Sequence, residues 1–350
     1  MTRIAPELPY QDYLATSQRP AFDGTRAVGF LLVITAHVPS VPLFGSLQGW
    51  SAVWIFFVMS GYLIAMLMMR EEKASGRVAF GPFLIKRICR ILPAYLMAIL
   101  IYWLACFTLE PAAGDYESFM ERLPYFLALL PEYANKNGFS IFTHTWTVGV
   151  ELKFYLFFPP VLFLMIGNAN ARFAVTAIVA ALLTAVGTFL AQSYCALLFG
   201  AMLAFALERP RGYAFIAKLT RVPLVVPLAL IVALFTLLHY TEQLTAVAFV
   251  ATYLIAYVIV QEAAVSRLLT WPPLVYLGQR SYGAYLLHFL ALRIGYMIFG
   301  SDSVTGGLMS VCFCLVVTVL AADIMYRAIE RPAIAFGRHL LSRMKPTAAH

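Results

Sequence analysis

Hydrophobic positions in this chain come in long blocks separated by short polar breaks, with no alternation of the kind a half-buried strand shows. Ten blocks are long enough to read as helices crossing a hydrocarbon layer, which takes about 20 mostly apolar residues per helix. They run Ala27 to Phe44, Ser51 to Met69, Ile88 to Thr108, Trp146 to Gly167, Phe173 to Ala191, Tyr194 to Leu207, Val222 to Leu238, Leu244 to Gln261, Tyr282 to Phe299 and Gly306 to Tyr326. The sixth is the shortest. The pattern predicts an all-α, polytopic membrane bundle of about ten transmembrane helices. It fills a single membrane domain over residues 1–350, with short tails at 1–24 and 333–350.

Composition agrees, with 62% hydrophobic and 12% charged residues and a mean hydropathy of +0.81. Charge then orients the bundle. When the breaks are assigned alternately to two sides, most of the 25 Lys and Arg residues fall on the side of both termini, and Arg122 and Lys136 fall on the other. Lys153 and Arg293 stay inside spans. Cationic excess marks the cytoplasmic side, so both termini are expected there, and the acidic break from Leu109 to Thr145 is expected outside. The net charge of +8 is accounted for by sidedness and anionic headgroups, so no nucleic-acid partner is implied. Residues 1–24 lack the apolar core of a cleavable signal. The five cysteines have no paired spacing and read as small buried hydrophobes, so no metal or redox site is expected.

Ionisable groups inside such blocks are the candidate chemistry, because their burial in hydrocarbon is costly. In "TRAVGFLLVITAHVP", Arg26 and His37 are eleven residues apart, which on a regular helix returns them to within about 20° of one face, about 16 Å apart along the axis. Pro39 places His37 near the end of that helix. The plainer readings are a headgroup anchor for Arg26 and an interhelical hydrogen bond for His37. In "GPFLIKRICRILPAYL", Arg87 and Arg90 are neighbours on a helix face. They suit phosphate oxygens, although cationic decoration of a cytoplasmic helix end accounts for them equally well. In "HTWTVGVELKFYLFFPP", Glu151 is placed to orient an imidazole or to pair with Lys153 or Arg293. In "LGQRSYGAYLLH", Ser281, Tyr285 and His288 form one polar stripe that must face protein or a cavity.

These segments, with "FFVMSGYLI" (Phe56 to Ile64) and "YRAIERP" (Tyr326 to Pro332), resemble in order and spacing the acyltransferase-3 family of integral-membrane acyltransferases. Thr25 and Met59 stand where leucine is usual. The resemblance implies transfer of an acyl group, most often acetyl, from cytosolic acyl-CoA to a hydroxyl of a cell-envelope or exported saccharide, at a bacterial inner membrane. It makes His37 the catalytic base, Glu151 a second catalytic candidate, and Arg26, Arg87 and Arg90 the contacts to acyl-CoA, with Ser281, Tyr285 and His288 lining the site. Acyl-CoA would be a co-substrate, with no permanently bound cofactor. The rival reading is a proton-coupled transporter, which also buries His, Glu and Arg in a bundle. Matching interrupted helices in two halves, its expected sign, are not seen.

Overall fold

The computed structural model describes residues 8–16, 19–109, 115–137, 140–240, 244–261 and 265–344. Arg3 and Lys345, two of the 25 Lys and Arg residues, and Glu110, in the acidic break, lie outside these. Among the described residues the chain is helical throughout and has no strand. Among the described residues, seven helices are long and apolar enough to cross a membrane, or eight if the bent pair Pro210–Thr220 and Val225–Leu234, kinked by 82°, is counted as one span. The ten expected spans are therefore not all found.

The physical reasons are local. The helix expected over Ala27 to Phe44 is Pro20–Thr35, 16 residues long, and Leu244–Val260 has 17. The expected boundary between the fifth and sixth spans is displaced: helix Ala169–Val186 stops at Gly187, whose φ of 68° closes it in a left-handed cap. Thr188 then caps Phe189–Leu207 by accepting from the Ala191 amide. The last apolar segment, Val304–Met344, has 41 residues, about twice what a hydrocarbon core needs. Its second part is the amphipathic helix Arg331–Met344.

The chain divides into two compact units, each made of two stretches of sequence. The first comprises Met1–Val78 and Phe158–Gln279. Its centre is the crossing of helices Ala52–Ser75 and Phe189–Leu207, where glycine lets backbones touch. A Cβ on Gly61 would lie 1.8 Å from the Leu197 carbonyl oxygen, and one on Gly200 would lie 2.0 Å from that of Val58, a small-residue contact suited to membrane helices. At one end Glu208 is buried and accepts from Arg70 Nε at 2.8 Å, Lys73 Nζ at 3.3 Å and the Tyr13 hydroxyl at 3.1 Å. Arg70 also donates to the carbonyls of Thr16 and Tyr13, at 2.8 and 3.1 Å. Burial pushes the Tyr13 phenol up, which keeps it a donor. Nearby, Arg172 forks onto Glu72 at 2.5 and 2.7 Å and covers the Phe163 ring at 4.5 Å.

The second unit comprises Ala79–Phe157 and Arg280–His350. Helices Ser281–Phe299 and Val304–Met325 pack as neighbours, with the site of a Gly295 Cβ only 3.1 Å from Ser310 Cα. A five-residue π-type turn, Tyr326–Glu330, leads into Arg331–Met344. That helix lies on Phe80–Leu109 so closely that a Cβ on Gly337 would sit 2.9 Å from Cys89 Sγ. The acidic break is partly ordered: helix Asp115–Leu127 is tied to the 3-10 turn Pro131–Asn137 by buried Arg122, which donates to the Ala134 carbonyl at 3.1 Å. Three cysteines are buried, but Cys89 is half-buried and Cys312 exposed, so the expectation of five buried thiols holds for three.

Candidate functional site

In the first unit, Pro20 starts helix Pro20–Thr35 at a position where its missing N–H costs nothing. The helix entry is wedged in place, since a Cβ on Gly24 would lie 1.8 Å from the Leu269 carbonyl oxygen and one on Gly278 would lie 1.8 Å from that of Asp23. Arg26 pairs with Asp23 one turn earlier, Nη1 to Oδ1 at 2.6 Å. His37 lies two residues past the helix end. Its amide bonds to the Ile34 carbonyl at 3.1 Å, and that of Val38 to Thr35 at 3.3 Å, a tightened turn that the residues before Pro39 favour. The regular-helix geometry expected between Arg26 and His37 therefore stops short of the histidine. His37 is half-buried, and burial pushes its imidazole down to about 4, so the ring is neutral near pH 7.

In the second unit, helix Phe80–Leu109 carries both Arg87 and Arg90. The Arg87 guanidinium lies against two rings, 5.5 Å from the centre of Phe83 and 5.4 Å from that of Tyr155, which are nearly perpendicular to each other. Tyr155 and Glu151 share helix Trp146–Pro159, and the Glu151 and Arg90 charges both act on Arg87. Among the described residues, neither Arg87 nor Arg90 makes a hydrogen bond or closes an ion pair. Glu151 does not pair with Lys153, one of the partners left open by the sequence. Lys153 instead pairs with Glu132 and donates to the carbonyls of Leu129 and Gly149 at 3.3 and 3.4 Å. The structure thus gathers Arg87, Arg90 and Glu151 within one unit, and holds Arg26 and His37 in the other.

The polar stripe of helix Ser281–Phe299 faces protein. The Tyr285 hydroxyl donates to the His144 carbonyl at 2.8 Å and accepts from Thr147 Oγ1 at 3.2 Å, while His288 is fully buried with Nδ1 2.6 Å from the Tyr285 carbonyl. The sequence reading missed His144. Its Nε2 lies 3.1 Å from the Leu286 carbonyl, and its ring centre lies 5.0 Å from that of His288. Since a carbonyl only accepts, each contact places a proton on the nitrogen that makes it and fixes the tautomer. The available signal was a histidine between two threonines at the entry to an apolar helix. Among the described residues no group of three or more His, Cys, Asp or Glu converges as metal ligands would.

The sequence model of one family, described as an acyltransferase domain, matches residues 19–327. Curated relatives include the Staphylococcus aureus (strain MSSA476) protein named "Putative O-acetyltransferase SAS0844", 25% identical over 362 aligned positions that cover 92% of this chain and 58% of the relative. The Bacillus subtilis (strain 168) protein named "Putative peptidoglycan O-acetyltransferase YrhL" is 26% identical, covering 93% of this chain and 56% of its own length. O-acetyltransferase OatA of Staphylococcus aureus (strain NCTC 8325 / PS 47) is 24% identical, covering 89% and 57%. This chain therefore spans less than two thirds of the length of these relatives. No solved structure gives a significant match. The matched residues take in the Arg26–His37 segment, the arginine pair, Glu151 and the polar stripe together, and on that match the chain belongs to the acyltransferase-3 family.

Proposed function

We propose that this chain is a multi-pass membrane O-acyltransferase moving an acyl group, in the simplest case acetyl, from acyl-CoA to a hydroxyl of a cell-envelope saccharide. Peptidoglycan is the acceptor suggested by a relative's name. The observation that carries the donor assignment is Arg87. A guanidinium held against two aromatic rings, one helical turn from a second arginine and without an internal acceptor among the described residues, is preorganised for an anion. Two forked donors suit the phosphates of CoA better than a carrier's neutral solute. Arg26 is the weaker contact, because Asp23 already takes one edge of it. The family match favours a transferase over a proton-coupled transporter.

In this reading, neutral His37 takes the proton from the acceptor hydroxyl as its oxygen attacks the thioester carbonyl. The tetrahedral intermediate then collapses, the carbon–sulfur bond breaks, and the imidazolium returns its proton to the CoA thiolate. Atoms and charge balance, with an ester and free CoA as products. A covalent variant places the acyl group on His37 first and balances equally. A general base contributes about 100- to 10,000-fold. The cationic excess on the side of Arg26, Arg87 and Arg90 supports a cytoplasmic donor and an acceptor on the other side of the bilayer, and the relatives point to a bacterial cell membrane.

The test is consumption of acetyl-CoA by purified protein supplied with a glycan acceptor, with mass spectrometry of envelope glycans from deletion and complemented strains. Thiol release with matching glycan acetylation is expected. Glycans unchanged by deletion, with no thiol release, would sink the assignment. An acylated His37 peptide would select the covalent route.

A further inference from the structure

Glu330 lies beyond the residues matched by the family model, which end at 327, and nothing in the reaction above uses it. It is 4% exposed at the end of the π-type turn Tyr326–Glu330. Such turns add a residue to a helical turn and re-aim side chains, often where a ligand binds. The carboxylate is pressed against the start of helix Ser281–Phe299, where a Cβ on Gly283 would lie 3.0 Å from its Oε1. No described residue donates a hydrogen bond to that oxygen. Two positive charges act on the carboxylate, Arg90 and Arg280. Arg280 is engaged elsewhere, with Nε 2.5 Å from Asp323 Oδ1 and its guanidinium stacked 4.9 Å over the Tyr326 ring. Glu330 and Glu151 both act on Tyr282, which ties Glu330 to the neighbourhood of the arginine pair.

A buried carboxylate with an unsatisfied oxygen is expensive, and in proteins it is ordinarily paired, hydrogen-bonded or reserved for a ligand. Here the neighbouring cation, Arg90, also lacks an internal hydrogen-bond acceptor among the described residues. A buried acceptor left open and a donor fork whose charge reaches it match a ligand that carries an anion and, apart from it, an N–H or O–H group. We propose that Glu330 is a substrate-binding residue, whose carboxylate accepts a hydrogen bond from an N–H or O–H of the acyl donor while Arg87 and Arg90 hold its phosphates. The proposal rests on the reading of acyl-CoA as donor. CoA offers such a group in its adenosine part, as amine or hydroxyl, and in its pantetheine part, as hydroxyl or amide.

The competing role for Glu330 is that of a counter-charge balancing Arg90 and Arg280, and the two roles move anion affinity in opposite directions. CoA binding is titrated on the full-length detergent-solubilised protein for wild type, Arg90→Ala, Glu330→Gln and Glu330→Met, each checked as monodisperse. A ligand-contacting carboxylate predicts affinity loss of about tenfold in Glu330→Gln, which keeps a weaker neutral acceptor, and of about a hundredfold in Glu330→Met, which keeps none. Repeating the titration with adenosine 3′,5′-bisphosphate and with pantetheine 4′-phosphate locates the donor group: loss on either fragment supports the proposal and names its source. Unchanged or tighter CoA binding in Glu330→Gln, with Arg90→Ala weakened, overturns this role while leaving the acyl-CoA reading intact. A wild type that binds no CoA overturns both. Glu330→Gln is isosteric and keeps the test alive should Glu330→Met fail to fold.

Discussion

Arg70 and Arg87 both stand on long apolar helices, yet their guanidiniums are treated in opposite ways. All three nitrogens of Arg70 find acceptors inside the protein, in Glu208 and the carbonyls of Thr16 and Tyr13. Arg87 rests on the rings of Phe83 and Tyr155, and no described residue accepts from it. Hydrogen bonds to charged groups are worth about 1.5–3 kcal/mol each. A cation that has collected them is held for stability, and one held in place without them is available to something else. The first unit therefore reads as a tied polar framework that also carries His37, and the second as the unit that offers its charges to a ligand. Substitutions test whether that division is real.

The largest expected effect belongs to His37, the group in the first unit that the comparison assigns to chemistry. His37→Ala should lower acyl transfer about 100- to 10,000-fold at unchanged thermal stability and CoA affinity, measured as thiol release by equal amounts of monodisperse protein. Because burial holds the imidazole neutral down to about 4, kcat/KM in wild type should stay level as pH falls past 6.5 and decline only towards 4. A decline centred at 6.5 would place His37 in water. Next comes Glu208→Ala, which strips acceptors from Arg70, Lys73 and Tyr13 together. Breaking a buried charge pair by removing one partner costs about 3–5 kcal/mol, so a lowered melting temperature with normal CoA binding is expected. Full stability with lost binding would reverse the roles of the two units.

Arg87→Ala and Arg90→Ala should do the opposite. Each is expected to weaken CoA binding by about 1.5–3 kcal/mol; Arg90→Ala should leave stability within about 0.5 kcal/mol of wild type, and Arg87→Ala should cost about 0.5–2 kcal/mol for the ring contacts it loses. Calorimetric titration against CoA checks the first and thermal unfolding the second. Loss of stability beyond that without loss of affinity would mean that Arg87 serves only to pack on Phe83 and Tyr155.

The difference between the two regions was only half legible in the sequence. Apolar blocks place the long helices, because burial in lipid demands them residue by residue. The breaks at Gly187 and at the 82° bend before Val225 depend on single capping and turning residues inside apolar surroundings, and pattern passes over them. Arg87 and Arg90 stood out because they are neighbours in sequence. That Arg70 has Glu208 as partner, 138 residues away, or that Lys153 chooses Glu132 over Glu151, is decided by folding and leaves no local mark. His144 was passed over because its partner His288 is remote in sequence, and Glu330 because "YRAIERP" shows a charge without showing that it is buried.

The smallest expected effect is at Tyr285, where the comparison is sharpest because the residue belongs to the polar stripe yet has its hydrogen bonds met. Its hydroxyl donates to the His144 carbonyl at 2.8 Å and accepts from Thr147 at 3.2 Å. By the rule drawn from Arg70 and Arg87, a satisfied group is structural. Tyr285→Phe keeps the ring and its contacts with His144 and His288, removes one hydroxyl, and leaves a carbonyl that the His144 residue must satisfy otherwise. The expected cost is about 0.5–1.5 kcal/mol of stability, read as a shift in thermal unfolding, with kcat and the KM for acetyl-CoA both within about twofold of wild type. A fall in kcat of a hundredfold or more at unchanged stability would show that Tyr285 releases its internal bonds to act on substrate. In that event, satisfaction of hydrogen bonds in the resting protein would no longer separate framework from site.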